Sequence, residues 1–525
     1  MTYWTDERIG PSARPPTRRR DHLRLWIVLA VVVGLVLGTV AGAVTTADRS
    51  PATLLDRFTA PISWSSCGGG FRCASVDAPL DWGDAGSSSI HLALIQHRAT
   101  GKRLGSLLVN PGGPGGSGID LVGSGAENAV TPDVAERYDV IGFDPRGVGY
   151  SSRVRCGGAA ELDRYLYPDL PGDIGSAEWL AADRKAADRF ADACAEHTGK
   201  LLAHVDTTSA ARDMELIRAD LGEAKLNYLG YSYGTALGSV YAGLYPKHVG
   251  RFVLDGAEDL WSTSDTDAST AQAAAFEGDL RAWMRACLAG KKAATGSRSC
   301  PFDDSLDGSM SRLKALLDDT EATPLRTADG RELTGAVLAT AIAATLYSTS
   351  TWSDLTAMLT ATLAGNPKPA MKLADQYNGR RSNGKYSGNE TEAFTAIGCL
   401  DFGADDDTGD MRADARRLAK AAPVLGPYQS YGSVTCGAWK YGPVDYPAPV
   451  TAPGADPIIV VGTTGDPATP YADAESLAAR LDSGHLVTKV GQGHTAYDLG
   501  NTCIDDTVDA YLLRGTVPTK DPRCR

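Results

Sequence analysis

A serine, an aspartate and a histidine stand in this chain where they could perform acyl transfer. Ser232 is the centre of a Gly-Tyr-Ser-Tyr-Gly pentapeptide that follows a short apolar run and precedes a helical pattern. In a G-x-S-x-G sequence, the glycines leave room for a sharp strand-to-helix turn that exposes the serine hydroxyl. A serine becomes a good nucleophile when a histidine takes its proton and an acid holds that histidine in one tautomer.

Asp466 and His494 are the predicted acid and base. Each follows the end of a predicted strand, at 457–462 and 486–490, and the order serine, aspartate, histidine is that of the α/β hydrolases. Asp255 also ends a strand, at 251–255, and remains an alternative acid. The Gly-Asp-Pro turn around Asp466 favours a projecting carboxylate there.

A glycine-rich loop, Asn-Pro-Gly-Gly-Pro-Gly-Gly-Ser-Gly at 110–118, has two interpretations. It can bare backbone N–H groups for an oxyanion, in which case the loop would act together with the N–H of Tyr233. Alternatively, its G-x-G-x-x-G spacing with Asp144 could bind a dinucleotide. The proline inside the loop disfavours a nucleotide, so we expect neither nucleotide nor other cofactor.

The pattern of strands and helices predicts an α/β fold with a mostly parallel sheet and helices on both faces. From 258 to 450 the pattern is almost wholly helical, which predicts a large cap inserted between the strand ending near Asp255 and the strand starting near Pro457. We call residues 258–450 the cap. The expected organisation is a basic cytoplasmic segment at 1–25, a membrane segment at 26–44, a tether at 45–65, the first core part at 66–257, the cap at 258–450 and the second core part at 451–525.

The amino-terminal region predicts export. Residues 26–44 carry no charge and follow several arginines, as expected of a signal anchor that spans the membrane or of a cleaved signal peptide. The net charge of −13 argues against a nucleic-acid partner. We therefore expect the rest of the chain outside the cytoplasm, either anchored to the membrane or secreted.

Ten cysteines, all beyond the apolar segment, indicate disulfides rather than a metal site. No C-x-x-C or H-E-x-x-H sequence occurs, so no metal is expected. Pairing of sequence neighbours is the simplest hypothesis, namely Cys67–Cys73, Cys156–Cys194, Cys287–Cys300, Cys399–Cys436 and Cys503–Cys524.

Taken together, the motifs resemble those of the secreted tripeptidyl aminopeptidases, in the prolyl-aminopeptidase branch of the α/β hydrolases. They are the loop at 110–118, Asp-Pro-Arg-Gly-Val-Gly-Tyr-Ser at 144–151, the pentapeptide around Ser232, Gly-Asp-Pro at 465–467 and Gly-His-Thr at 493–495. The resemblance implies a triad of Ser232, Asp466 and His494, and an oxyanion hole from Tyr233 and the loop around Gly112 and Gly113. It also implies a cap that selects peptides with a free N-terminus.

A free amino group needs a counter-charge, for which the sequence offers Glu258, Asp259 and Asp401. Two other functions stay open. An esterase or lipase would use the same triad, and a hydrolase homologue without activity would serve as a surface-binding module.

Overall fold

The described residues of this computed structural model form a ten-stranded sheet. They are 51–261, 265–404, 406–444 and 449–525, so the predicted membrane segment at 26–44 lies outside them. The strands of the sheet follow the order β1-β2-β3-β5-β4-β6-β7-β10-β11-β12, and β8 pairs only with β9. Their bounds are β1 Ser65–Gly68, β2 Phe71–Pro79, β3 Ser89–His97, β4 Gly105–Asn110, β5 Tyr138–Phe143, β6 Leu226–Tyr231, β7 Val249–Asp255, β8 Leu325–Arg326, β9 Glu332–Leu333, β10 Ile458–Gly465, β11 Gly484–Gln492 and β12 Arg523–Cys524.

The sheet is parallel from β5 through to β12 and antiparallel at its other edge, where β1, β2 and β3 pair. Its central strands are buried along their whole length, as expected for strands covered by helices on both faces. The prediction of an α/β-hydrolase fold is confirmed.

Helices cover the sheet and fill the long insertion between β7 and β10. Those before β7 are Pro51–Phe58, Gly118–Gly123, Pro132–Arg137, Ala159–Leu166, Ala177–Thr198, Thr207–Asp220 and Tyr233–Leu244. Those between β7 and β10 are Asp265–Leu288, Lys292–Thr295, Leu306–Ala322, Gly335–Leu346, Trp352–Leu363, Lys368–Tyr377, Glu390–Asp401, Thr408–Ala421 and Ser433–Gly437. Those after β10 are Tyr471–Arg480 and Thr502–Arg514.

Two details differ from the sequence expectation. The strand β1 was not predicted, because its four residues are all exposed and carry no apolar alternation. The cap was expected to have no clear strand, yet it contains the short antiparallel pair β8 and β9. Two-residue strands leave too little periodicity in a sequence to be recognised.

Alternate residues of the central strands supply two separate cores. Leu108 and Tyr228 belong to the apolar cluster on one face of the sheet, whereas Val109 and Leu229 belong to the cluster on the other. A third cluster lies within the cap and includes Tyr167 from the segment before β6. The cap therefore has an apolar core of its own and also packs against a part of the chain that precedes it.

All five disulfide pairings expected from the sequence are confirmed: Cys67–Cys73, Cys156–Cys194, Cys287–Cys300, Cys399–Cys436 and Cys503–Cys524. Each joins cysteines that are neighbours in the cysteine order. Within the described ranges no helix is both long and apolar enough to cross a membrane.

Arg146, from the Asp-Pro-Arg-Gly motif, forms a fully buried ion pair with Asp213. Its Nε and Nη2 donate to the two carboxylate oxygens of Asp213 at 2.7 Å each, and both side chains are fully buried. The guanidinium also donates to three carbonyl oxygens, and Trp82 Nε1 donates to Asp213 at 3.0 Å. Every charge in the cluster is thus hydrogen-bonded, which is the condition for burying it.

Removing one member of this pair should destabilise the fold strongly. We expect Arg146→Ala to lower the free energy of unfolding by about 3–5 kcal/mol, because Asp213 is left buried without its counter-charge. Urea denaturation followed by circular dichroism measures the change. Lys314→Ala is the control, since that half-exposed lysine pairs with the half-exposed Asp318 at the surface of a helix and should contribute about 1 kcal/mol at most. Equal losses in the two variants would contradict the prediction.

Candidate active site

Ser232 lies on a strained turn between β6 and the helix Tyr233–Leu244. Its φ of 55° and ψ of −130° are unusual for a residue other than glycine. A β-carbon at Gly230 would come within 2.3 Å of the Gly234 carbonyl oxygen, so only glycine allows the chain to turn this tightly. The Ser232 N–H donates to the Asp255 carbonyl at 2.9 Å, and its side chain does not cap the helix. The hydroxyl and the first N–H groups of the helix are therefore left for a ligand.

The glycine-rich loop packs directly against this turn. A β-carbon at Gly112 would lie 2.4 Å from the Tyr231 carbonyl oxygen and 3.1 Å from the Tyr233 nitrogen. Its own N–H donates to Asn110 Oδ1 at 2.9 Å, so this group is already engaged. Contrary to the sequence expectation, Gly112 allows close approach of the loop rather than offering a free donor. The N–H groups of Gly113 and Tyr233 remain the predicted oxyanion donors.

Asp466 and His494 are in direct contact. His494 Nδ1 lies 2.8 Å from Asp466 Oδ1 and 3.0 Å from Oδ2. The Asp466 side chain is fully buried, and its oxygens also accept the N–H groups of Ala468, Thr469 and Thr495. This arrangement assigns the ring proton to Nδ1 and leaves Nε2 with a free lone pair, which is the tautomer that a general base requires.

Nε2 of His494 is buried and has no hydrogen-bond partner among the described residues. The hydrogen bond between Ser232 and His494 is therefore not formed, and catalytic hydrogen bonds often tighten only when the substrate binds. Ser232 and His494 both lie at the end of β7. A β-carbon at Gly256 would lie 3.1 Å from His494 Cε1, and the carbonyl of Asp255 accepts the Ser232 N–H.

Asp255, the alternative acid, does not contact the histidine ring by a hydrogen bond. Its Oδ2 accepts the backbone N–H groups of Ala496 at 3.0 Å and Tyr497 at 2.8 Å, whereas its Oδ1 is buried without a partner. Burial raises the pKa of Asp255 to about 6, and the two backbone donors lower it. Its carboxylate therefore holds the loop that carries His494.

Asp144, which the dinucleotide interpretation needed for a ribose, is committed to the glycine loop. Its buried carboxylate accepts the Ser117 hydroxyl at 2.7 Å and the N–H groups of Ile119 and Tyr150 at 3.1 Å and 2.7 Å. Burial raises its pKa. Because both oxygens are occupied, this residue braces the loop and the dinucleotide interpretation loses its acid.

Two of the three acids proposed for a substrate amino group are used by the protein itself. Asp259 accepts hydrogen bonds from Ser476 at 2.6 Å and Arg480 at 2.7 Å. Asp401 accepts the N–H and the hydroxyl of Thr207, which also contacts the Tyr233 hydroxyl. Glu258 is part-exposed, and no described residue hydrogen-bonds its carboxylate. Burial, together with the charges of Asp473 and Asp401, raises the pKa of Glu258 to about 7.

Sequence reasoning missed two cap residues that reach this site. The Tyr347 carbonyl accepts the His494 N–H at 2.8 Å, and the two rings meet edge to face with their centroids 5.4 Å apart. Asp279 is buried on the helix Asp265–Leu288, and burial together with the charge of Asp466 raises its pKa to about 7. Neither residue belongs to a motif, since both lie within ordinary helical periodicity.

Comparison with known proteins gives the same class as the fold. Residues 422–524 match the family model described as TAP-like protein. The chain is 36% identical over 492 residues to the serine protease Hip1 of Mycobacterium bovis, covering 88% of this chain and 91% of that protein. It is 37% identical over 459 residues to carboxylesterase B of Mycobacterium tuberculosis, covering 86% of each. It is 31% identical over 490 residues to tripeptidyl aminopeptidase of Streptomyces coelicolor, covering 89% of this chain and 86% of that protein.

The parallel sheet, the serine turn and the aspartate–histidine pair define an α/β hydrolase. The chain is a serine hydrolase, and it belongs to the TAP-like protein family.

Proposed function

We propose that this protein is an exported exopeptidase that releases short peptides, in the tripeptide range, from free N-termini. The observation that carries the proposal is the buried Asp466–His494 pair, whose ring has an unpartnered Nε2 and packs at the strand end that holds the Ser232 N–H. The peptide specificity is supported by the relative named tripeptidyl aminopeptidase and by the one named serine protease.

In the proposed reaction His494 Nε2 takes the proton of the Ser232 hydroxyl as the oxygen attacks the scissile carbonyl. Asp466 holds the ring and stabilises the imidazolium that forms. The N–H groups of Tyr233 and Gly113 stabilise the oxyanion, and the imidazolium then protonates the leaving amine. Water, activated by the same histidine, releases the acyl group from the serine.

An esterase is the second candidate function, because a relative of similar identity is named carboxylesterase B. The triad would act on an ester without change, so the chemistry does not distinguish the two. The cap must therefore determine whether peptides or esters are cleaved, through the groups that it presents to the acyl part of the substrate.

Matched substrates separate these functions. We expect tripeptidyl anilides with a free amino group to be hydrolysed with kcat/KM at least about tenfold higher than their N-acetylated forms, because a charge-assisted contact to the ammonium is lost on acetylation. Initial rates on both series, and on short acyl esters, give the answer. Equal rates on free and acetylated peptides, or turnover of esters alone, would end the aminopeptidase proposal.

Export is supported by the disulfides, which form and persist in oxidising compartments. We propose that the predicted segment at 26–44 carries the enzyme across the membrane and either anchors it there or is removed. Mass spectrometry of the mature N-terminus distinguishes anchoring from release.

A further inference from the structure

One face of the long cap helix Asp265–Leu288 lies against the segments that carry the acid and the base of the site. Gln272, Phe276 and Asp279 share this face, because residues at i, i+4 and i+7 lie on one side of a helix. The Phe276 ring packs edge to face on Tyr347, with centroids 5.8 Å apart, and Tyr347 in turn contacts the ring of His494. The cap helix thus approaches the base through an aromatic side chain.

Gln272 connects the same helix to the loop that follows Asp466. Its Nε2 donates to the Ala468 carbonyl at 2.7 Å. The N–H of Ala468 donates to Asp466 Oδ1 at 3.0 Å. A single residue therefore separates the cap from the carboxylate of the acid.

Asp279 is connected to the ends of β10 and β11 through Gln492. The hydrogen-bond network orients the Gln492 amide so that its nitrogen donates to Asp279 Oδ1 at 2.7 Å and to the Gly465 carbonyl at 3.2 Å. Gly465 pairs with Gln492 across the two strands, and a β-carbon there would lie 2.6 Å from the Gln492 amide carbon. Gly465 directly precedes Asp466, and Gln492 stands two residues before His494. Gln492 therefore joins the segment of the acid to the segment of the base.

The carboxyl group of Asp279 is poorly satisfied for a buried group. Asp279 is 2% exposed, and its Oδ2 has no hydrogen-bond partner among the described residues. Burial and the charge of Asp466 raise the pKa of Asp279 to about 7, whereas the Trp352 indole lowers it without forming a hydrogen bond. A buried carboxyl with an unpartnered oxygen contributes little to stability, so its place beside the acid and the base indicates a functional role.

We propose that Asp279 is a positioning residue for the triad: it fixes Gln492, and through Gln492 the segments that carry Asp466 and His494. The inference rests on the triad of the proposed function and is independent of the preference for peptides. A carboxyl oxygen can accept the Gln492 hydrogen bond whether the group is protonated or ionised. The cap thereby helps to assemble the acid and the base.

Removing the carboxyl group tests the proposal. Asp279→Ala should lower kcat on tripeptidyl anilides and short acyl esters, and the rate of labelling by a fluorophosphonate, by about tenfold or more, because small displacements of a catalytic group reduce the rate steeply. KM should change less than about twofold, since Asp279 acts through Gln492 and not on the substrate. Asp279→Asn keeps an oxygen that can accept the same hydrogen bond and should stay within about threefold of the parent rate. An equal loss in the two variants would overturn the proposal.

Glu277→Ala is the matched control. Glu277 is a buried acid on the same helix, and it accepts the N–H groups of Val424 and Leu425 at 3.2 Å each, inside the cap. Its removal leaves two buried donors without a partner, so the midpoint of thermal unfolding should fall while the labelling rate of the folded protein is kept. Asp279→Ala should show the reverse, a loss of rate with the smaller change in midpoint. If the rate falls in both variants in proportion to the midpoint, the role of Asp279 is structural and the proposal fails.

A double-mutant cycle tests the route through Gln492. Gln492→Ala should reproduce the loss of rate, and the double variant should lose no more than the larger single loss, because both changes remove the same link. Additive losses would show that Asp279 acts by another route, which contradicts the proposal. If Asp279→Ala does not fold, Gln492→Ala, at a half-buried position, replaces it, and an unchanged labelling rate there overturns the proposal.

This inference and the proposed function fail in different ways. If Ser232→Ala is still labelled by the fluorophosphonate at the parent rate, the triad fails and the positioning role fails with it. If labelling requires Ser232 but is unaffected by Asp279→Ala and Gln492→Ala, only the positioning role is wrong.

Discussion

Replacing Ser232 by alanine should lower kcat for peptide and ester substrates alike by roughly 10⁵-fold or more. The Ser232 oxygen is the atom that forms the covalent bond to the acyl group in the proposed mechanism. Its side chain does not cap the helix Tyr233–Leu244, so the hydroxyl is available for this reaction. The fold should be unaffected, because the Ser232 side chain makes no hydrogen bond to cap the helix. Steady-state kinetics of the purified variant measure the loss.

Ser239→Ala is the control for this experiment. Ser239 lies on the same helix, and its hydroxyl only donates to the Thr235 carbonyl at 2.7 Å. It should retain activity and labelling by a fluorophosphonate, whereas Ser232→Ala should lose both. Residual turnover in Ser232→Ala within tenfold of the parent enzyme would exclude Ser232 as the nucleophile and with it the proposed mechanism.

The second large effect is expected for Asp466→Asn, which should lower kcat by roughly 10⁴-fold. The carboxylate now accepts the Nδ1 proton of His494 at 2.8 Å. An amide in its place can donate to Nδ1, which would move the ring proton to Nε2 and remove the base. KM should change little, because the substrate does not touch this residue. The pH profile of kcat measures the loss of the base directly.

Asp255→Asn is the matched control for Asp466→Asn, since Asp255 is the other acid at a neighbouring strand end. The amide oxygen can still accept the Ala496 and Tyr497 N–H groups, so the histidine loop should keep its position. We expect a loss in kcat of less than about tenfold, consistent with a residue that positions another. If the two variants exchanged their effects, Asp255 would be the acid of the triad.

The fold could be predicted because its signals are local. Each strand of the parallel sheet is a short run of apolar, often β-branched residues followed by a turn and a helix, and this alternation is visible without any knowledge of long-range contacts. The disulfide pairs were a hypothesis of the sequence, and the structure confirms that each joins neighbouring cysteines. The exceptions, β1 and the pair of β8 and β9, are strands too short or too exposed to leave a pattern.

The site was predictable in part. The turn at Ser232 needs glycine on both sides because a side chain at either position would clash. The G-x-S-x-G motif is the direct expression of this steric requirement in the sequence. The choice of Asp466 over Asp255 rested on the turn chemistry of Gly-Asp-Pro, and the structure places Asp466 against the histidine ring. The engaged N–H of Gly112 could not be foreseen, because it depends on the orientation of the Asn110 side chain.

The sequence by itself determined the fold class and the serine, aspartate and histidine that the proposal uses, because their motifs are residue types at short, sterically constrained spacings. It offered the cysteine pairs only as a hypothesis. Only the tertiary structure decided what surrounds them. Tyr347 reaches the histidine, and Asp120 lines one cavity with Glu390 and Glu392, because the cap helices pack onto the core loops. Such contacts join residues far apart in the chain, and helical periodicity specifies which face is buried but not which neighbour covers it.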